Sequence, residues 1–218
     1  MCEADDTTFD ALTGLPDRTS FEGILEDALN RSGECPVSLG VVDIDFFGRL
    51  NEAHGREAGD AVLVDLSRAL SEAFDGVGTP CRYGGDAMAV VMPDVEKERA
   101  FMALETFRST FSGERRVTVN GDSPLILEIS LGGGLAASPD DGTKRSDLIH
   151  KANDALYRAK VSGRNKVCLA REEKMVTKTS HYTQGQLMGL RRLAEREGIG
   201  EAVLLREALN DVLRKYNA

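Results

Sequence analysis

The chain has 218 residues, 41% hydrophobic and 29% charged, with a formal net charge of −9. That length holds one ordinary domain and a small appendage, and the balance is that of a soluble globular chain rather than a disordered or membrane-embedded one. No run approaches the ~18–20 apolar residues that a bilayer span needs, the start MCEADDTTFD has no signal-peptide pattern, and a cytoplasmic location is expected. The acid surplus argues against broad nucleic-acid affinity, but it is uneven: residues 1–171 carry −10 and residues 172–218 carry +1. Two units with different tasks fit that split. Cys2, Cys35, Cys81 and Cys168 lack CxxC or CxxH spacing, so reduced, mostly buried thiols are expected. His54, His150 and His181 do not cluster with cysteines or acids at ligand spacing, and no histidine metal site is assigned.

In chain order, PVSLGVVDID (36–45) reads as a buried strand that delivers carboxylates at its end. GDAVLVDLSRALSEAF (59–74) places Ala61, Val62, Leu66, Ala69, Leu70 and Ala73 at helical spacing. CRYGGDAMAVVMP (81–93) has two extended arms around Gly84-Gly85-Asp86, the pattern of a hairpin whose tip needs glycine conformations. A helix over about 96–111, a strand over 125–138 and a helix over 146–163 stopped by Gly163 complete an α+β sheet domain spanning 1–170. A charged linker at 171–174 leads to a short extended piece, 175–182, and two helices, 183–197 and 201–216. Thr183 followed by Gln186 is a capping-box pattern.

DALTGLPDR (10–18), DIDFFGRLNEAHGREAGDAVL (43–63), RYGGDAM (82–88), LEISLGGGLA (127–136) and ALYRAKVSGRNKV (155–167) resemble, in order and spacing, the GGDEF domains of diguanylate cyclases. The resemblance implies a nucleotidyl-cyclase-like central sheet flanked by helices, and a site for GTP with Mg2+. It implies Asp43, the Ile44 carbonyl and Asp86 as metal ligands, and Asp86 within the catalytic pair. It further implies Asn51 and Asp60 as readers of guanine, the Phe46 and Phe47 amides as a phosphate cradle, and Lys160 and Arg164 as triphosphate contacts. The chemistry suits those residue types. Phosphate charge is offset by a cation on hard oxygen ligands, and guanine N–H donors are met by an amide oxygen and a carboxylate. Taken without the resemblance, Asp43 and Asp86 also fit solvated turn carboxylates, Asn51 and Asp60 fit helix caps, and Lys160 and Arg164 fit a basic helix end.

The chain departs from the family pattern at several points. Where GG(D/E)EF is usual it reads Gly84-Gly85-Asp86-Ala87-Met88, so Ala87 replaces a carboxylate implicated as base and metal ligand. Gly48 stands in place of a phosphate-contacting lysine. Asp75 and Gly78 stand where an RxxD product-binding motif lies in many relatives, and a reversed charge cannot fork onto phosphate. Asp17, Arg56 and Asn153 replace the usual Asn, His and Asp.

Residues 177–216 resemble a ribbon-helix-helix module of the Arc and MetJ kind. That resemblance implies a homodimer, because one strand and two helices cannot bury a core alone. Leu187, Leu190, Leu193 and Ala194, then Val203, Leu204, Ala208, Val212 and Leu213, form the stripes that would pair. With Tyr182 facing the core, Thr177, Thr179 and His181 would face DNA. The near-neutral tail and Glu201 at a helix start leave dimerisation alone, or docking to a partner protein, as alternatives. Three functional readings follow: a degenerate GGDEF module that binds guanine nucleotide and regulates, a residual diguanylate cyclase, and a nucleotide-free interaction scaffold.

Overall fold

The computed structural model describes residues 7–33, 35–119, 124–171, 180–197 and 200–215. The chain divides into two compact units, 1–172 and 173–218. The first unit runs α1 (Arg18–Ser32), β1 (Val37–Ile44), α2 (Phe47–His54), α3 (Arg56–Ala73), β2 (Thr79–Gly84), β3 (Ala87–Pro93), α4 (Lys97–Phe111), β4 (Gly113–Val117), β5 (Leu125–Ile129), β6 (Leu131–Ser138), α5 (Arg145–Val161) and β7 (Lys166–Leu169). Its central sheet has the order β2-β3-β1-β6-β7, antiparallel except for the β6–β7 pair. This is a mixed sheet flanked by helices, an α+β architecture.

β1 lies in the middle and is buried on both faces, which is why its sequence is continuously apolar. Side-chain alternation sends Val42 and Ile44 to a core shared with Val62, Leu66 and Leu70 of α3 and Leu104 and Phe107 of α4. Val37, Leu39 and Val41 meet Phe21 and Leu25 of α1 and Leu148, Ala152 and Leu156 of α5 on the other face. Asp17 starts α1 by accepting a hydrogen bond on its carboxylate from the Ser20 amide, 3.0 Å.

The expected strand over 125–138 is two strands broken at Ser130. β5 pairs with β4 in a separate ribbon, while β6 joins the central sheet. The break has a cause: the Ser130 carbonyl accepts the Asp45 amide at 2.9 Å, so the chain there serves the end of β1. The glycines of β6 let α5 lie flat on the sheet. A Cβ on Gly134 would sit 2.1 Å from the Ala152 carbonyl oxygen and 2.3 Å from the Leu156 nitrogen. α1, α2, β4 and β7 extend the architecture beyond the elements read from sequence. Cys35 is exposed, a correction to the expectation of mostly buried thiols. Cys81 is buried, and burial pushes its thiol up to about 12.

The second unit contains α6 (Gln184–Glu197) and α7 (Glu201–Lys215). Its capping box is formed: the Thr183 amide donates to Gln186 Oε1 at 2.9 Å and the Gln186 amide donates to Thr183 Oγ1 at 3.3 Å. Most of the expected extended piece, including Thr177 and Thr179, lies outside the described residues, and residues 180–182 form no strand. Leu187, Met188, Leu209 and Val212 are exposed. Among the described residues no helix is long and apolar enough to cross a membrane.

Candidate functional site

β1 delivers Asp43 to the sheet face that carries Leu39 and Val41, and the register pairs Asp43 directly with Ala87 on β3. Ala87 shares that face, because Ala89 and Val91 two and four residues on belong to the same core. Between β2 and β3 the chain turns through Gly84 (φ 150°) and Gly85 (φ 56°), conformations that glycine adopts without penalty. Arg82 donates a hydrogen bond to the Gly85 carbonyl and ties down the turn that presents Asp86.

Asp43 titrates above the ordinary aspartate range. Burial is the main cause, Lys160 opposes it through charge and a hydrogen bond, and the nearby charges of Asp86 and Asp45 push it further up. Lys160, near the end of α5, places its ammonium 2.5 Å from Asp43 Oδ1, 2.9 Å from the Asp43 carbonyl oxygen and 2.7 Å from Asp45 Oδ1. The Asp45 side chain is 0% exposed. Its Oδ2 accepts from Ser130 Oγ at 2.7 Å and from the Asn165 amide at 3.0 Å.

Phe46 follows with φ 58° and precedes α2, whose start no side chain caps, so its first amides keep their donors. The exposed Phe46 ring carries the Arg164 guanidinium 4.3 Å and the Arg49 guanidinium 5.0 Å from its centroid. Five residues on, Asn51 turns its side chain over α3. Its Oδ1 is buried without a hydrogen-bond partner, and a Cβ on Gly59 would lie 1.9 Å from it. Asp60, the next residue, is exposed.

The profile of the family described as "Diguanylate cyclase, GGDEF domain" matches residues 7–166. The chain belongs to the GGDEF family. It is 36% identical over 160 residues to the response regulator PleD of Caulobacter vibrioides, an alignment covering 72% of this chain and 35% of PleD. The GGDEF domain of PA1120 from Pseudomonas aeruginosa superposes with a TM-score of 0.68 at 29% identity, covering 74% of this chain and 99% of that one. The GGDEF domain of DgcB from Caulobacter crescentus, solved in complex with c-di-GMP, gives 0.68 at 27% identity, covering 78% and 99%. The chain spans about a third of PleD and less than half of the other curated relatives it matches.

Within this GGDEF domain the sequence-derived residues fall into two groups. Asp43, Ile44, Asp86, Ala87 and Lys160 meet at one end of β1 and the β2–β3 turn. Phe46, Phe47, Asn51, Asp60 and Arg164 line the α2 side. His181 belongs to the second unit, where it is exposed just before α6. From sequence Asp45 was read only as one of the two carboxylates that close the 36–45 run and was given no role, and Gly59 was read only as the start of a helix that in fact begins at Arg56. Gly78 is closed to larger residues, since a Cβ there would lie 2.8 Å from the Val91 carbonyl oxygen. Asn153 donates to the Tyr83 hydroxyl at 2.9 Å and to the Ile149 carbonyl at 2.7 Å.

Among the described residues no group of three or more His, Cys, Asp or Glu stands close enough to hold a metal ion. Two carboxylates and a strand-end carbonyl still fit Mg2+, which keeps several waters and takes few protein ligands beside substrate phosphates. Burial is the main reason Asp43 is raised, and the Asp86 and Asp45 charges that add to it are what a cation there would offset.

Proposed function

We propose that this chain is a regulatory GGDEF module that binds guanine nucleotide with Mg2+ and does not cyclise it. The observation that carries the reading is Asn51 Oδ1, buried and lacking a donor beside an open helix start. A buried acceptor left unsatisfied costs about 1–3 kcal/mol. Guanine offers adjacent N–H donors on its Watson–Crick edge where adenine offers an acceptor and a C–H, so the site selects GTP over ATP. Asp60 supplies a second acceptor. The Phe46 and Phe47 amides, with the Arg164 guanidinium, receive the phosphates, and Lys160 joins them when it is released from Asp43. Asp43, the Ile44 carbonyl and Asp86 hold the Mg2+, which offsets phosphate charge.

Proton removal from an attacking ribose hydroxyl needs a base beside Asp43. The side chain in that place is the methyl of Ala87. Loss of a general base lowers a rate by roughly 10²–10⁴. The site therefore holds its ligand without turning it over, and nucleotide occupancy is the signal.

The C-terminal unit completes the reading as a ribbon-helix-helix-like module that pairs two chains. The exposed apolar side chains on α6 and α7 support pairing, since two short helices leave that area uncovered. The roles weighed for the paired unit are pairing alone, docking to a partner protein, and contact with DNA through Thr177, Thr179 and His181.

The test is melting of the purified chain with Mg·GTP and Mg·ATP, with chromatography of the nucleotides after incubation. A ligand selective for the native state stabilises by RT ln(1 + [L]/Kd). A rise with GTP that ATP does not match, with GTP recovered intact, is the expected result. No rise with GTP, or appearance of cyclic di-GMP, overturns the proposal.

A further inference from the structure

We infer that Lys160 is an internal counter-ion seated on Asp43 in the place of a divalent cation, that Asp45 is the positioning residue that holds it, and that the cation binds by displacing it. The inference rests on the reading of Asp43 and Asp86 as a metal pair. An ammonium has three N–H donors. Those of Lys160 face three oxygens of the chain itself, Asp43 Oδ1, the Asp43 carbonyl and Asp45 Oδ1, at 2.5, 2.9 and 2.7 Å. In this arrangement no donor remains for a phosphate. Lys160 reaches a triphosphate only by giving up one of these contacts.

The neighbourhood is shaped for this lysine. A Cβ on Gly132 would lie 2.8 Å from Lys160 Cε and 3.1 Å from its Cδ, so the missing side chain on β6 is what lets the stem lie across the strand. Asp45 is fixed from other elements through Ser130 Oγ and the Asn165 amide, both on Oδ2, which leaves Oδ1 to Lys160. Asp45 thereby ties Lys160 and the Arg164–Asn165 backbone to one buried carboxylate. Asn165 Oδ1 itself accepts from Arg108 and from Ser112 Oγ at 3.1 Å, which ties this anchor to the end of α4.

The consequence is linked binding. A divalent cation and an ammonium repel one another at Asp43, so the metal alone meets a resident competitor. Once the metal takes Asp43, Lys160 keeps Asp45 and regains donors for the nucleotide. Metal and triphosphate then bind better together than either alone, without any further conformational change in the sheet.

The experiment uses the full chain without nucleotide, with Mn2+ binding followed by electron paramagnetic resonance and melting followed with and without Mg2+. Lys160→Met keeps the stem and removes the charge. It is expected to bind Mn2+ about tenfold more tightly than the native protein. It should melt lower than native in the absence of metal and recover on adding Mg2+. Unchanged or weaker Mn2+ binding by the variant overturns the inference. If Lys160→Met does not fold with or without Mg2+, the native chain decides the matter through the side-chain ammonium resonance of 15N-labelled lysine. A protected Lys160 signal that moves on saturation with Mg2+ supports displacement, and one that stays in place overturns it. Asp45→Asn should broaden that signal through faster proton exchange, whereas an unaltered signal removes Asp45 from the role. Tighter Mn2+ binding in Lys160→Met together with no GTP binding by the native chain would sink the nucleotide reading and leave this inference standing.

Discussion

The two ends of the site are built differently. On the α2 side, the structure keeps an arrangement that is costly without a ligand: a buried amide oxygen with no donor, seated on a helical glycine that cannot become alanine without moving it. At the β1–β3 end, the register places a methyl group beside Asp43, where chemistry would need a proton acceptor. Ala87 opens β3 and is paired on both sides, with Asp43 of β1 and with Gly84 of β2 beside a register shift between Arg82 and Gly84. The proposed function thus separates recognition from turnover, and the largest effects should come from altering one end while leaving the other alone.

Ala87→Glu tests the separation most severely. Restoring a carboxylate across from Asp43 should raise cyclic di-GMP formation by roughly 10²-fold or more over the native chain. GTP affinity should change little, as measured by chromatography and by titration. If the variant binds GTP and forms no product, the deficit lies elsewhere, and Gly48 is the next position to examine. A lysine fits there, since nothing lies within 4 Å of a Cβ at Gly48.

The converse change attacks recognition. Gly59→Ala puts a Cβ where Asn51 Oδ1 now sits, so Asn51 must swing away. GTP affinity should fall by about tenfold or more, corresponding to one buried hydrogen bond of about 1.4 kcal/mol. Asn51→Ala should erase the preference for GTP over ATP while removing an unsatisfied atom, and so leave the apo protein no less stable. A loss of GTP binding in Ala87→Glu but not in Gly59→Ala would reverse the assignment of the two ends.

Much of this was legible in the sequence, and the parts that were not share a physical character. The continuous apolar run of β1 and the helical spacing of α3 and α5 were readable because burial imposes a pattern. The break at Ser130 was not, because LILEISLGGG carries no proline at that point and only the partner strand decides where one ladder ends. The resemblance pointed to Asp43, Asp86 and Asn51 as site residues. It gave Lys160 as a phosphate contact, whereas the structure seats it on Asp43 and Asp45, a choice set by charge balance in three dimensions. Asp45 was read as a strand-end carboxylate without a role, because its partners Ser130, Lys160 and Asn165 come from distant segments.

A smaller effect separates the two units. If α6 and α7 pair two chains, Leu187→Glu should turn a dimer into a monomer in sedimentation of the full chain. Burying a charge against a partner's apolar face costs more than the few kcal/mol such an interface supplies. GTP-dependent melting of the GGDEF domain should survive. A dimer that persists in Leu187→Glu would place the interface elsewhere.

The smallest effect concerns the segment that braces the β2–β3 turn. Pro16 accepts the Arg82 amide at 2.7 Å, and the loop leading to it closes through Asp10, whose Oδ1 accepts from the Thr13 amide at 2.9 Å and the Thr13 hydroxyl at 2.6 Å. Burial pushes the Asp10 carboxyl up, but the two Thr13 hydrogen bonds and the Arg82 charge outweigh it, so Asp10 titrates below 3.8 in the folded chain. A lowered folded value means that the unfolded chain binds protons first as pH falls. The stabilisation is therefore complete above pH 3.8 and is lost as the pH drops through the lower folded value. Asp10→Asn should destabilise the chain by about 1 kcal/mol at neutral pH, a figure discounted for partial exposure. Denaturant melts of the two proteins should converge below pH 4. A difference that stays constant through that range would mean that Asp10 acts by shape alone, and that its charge contributes nothing to holding the loop against the turn.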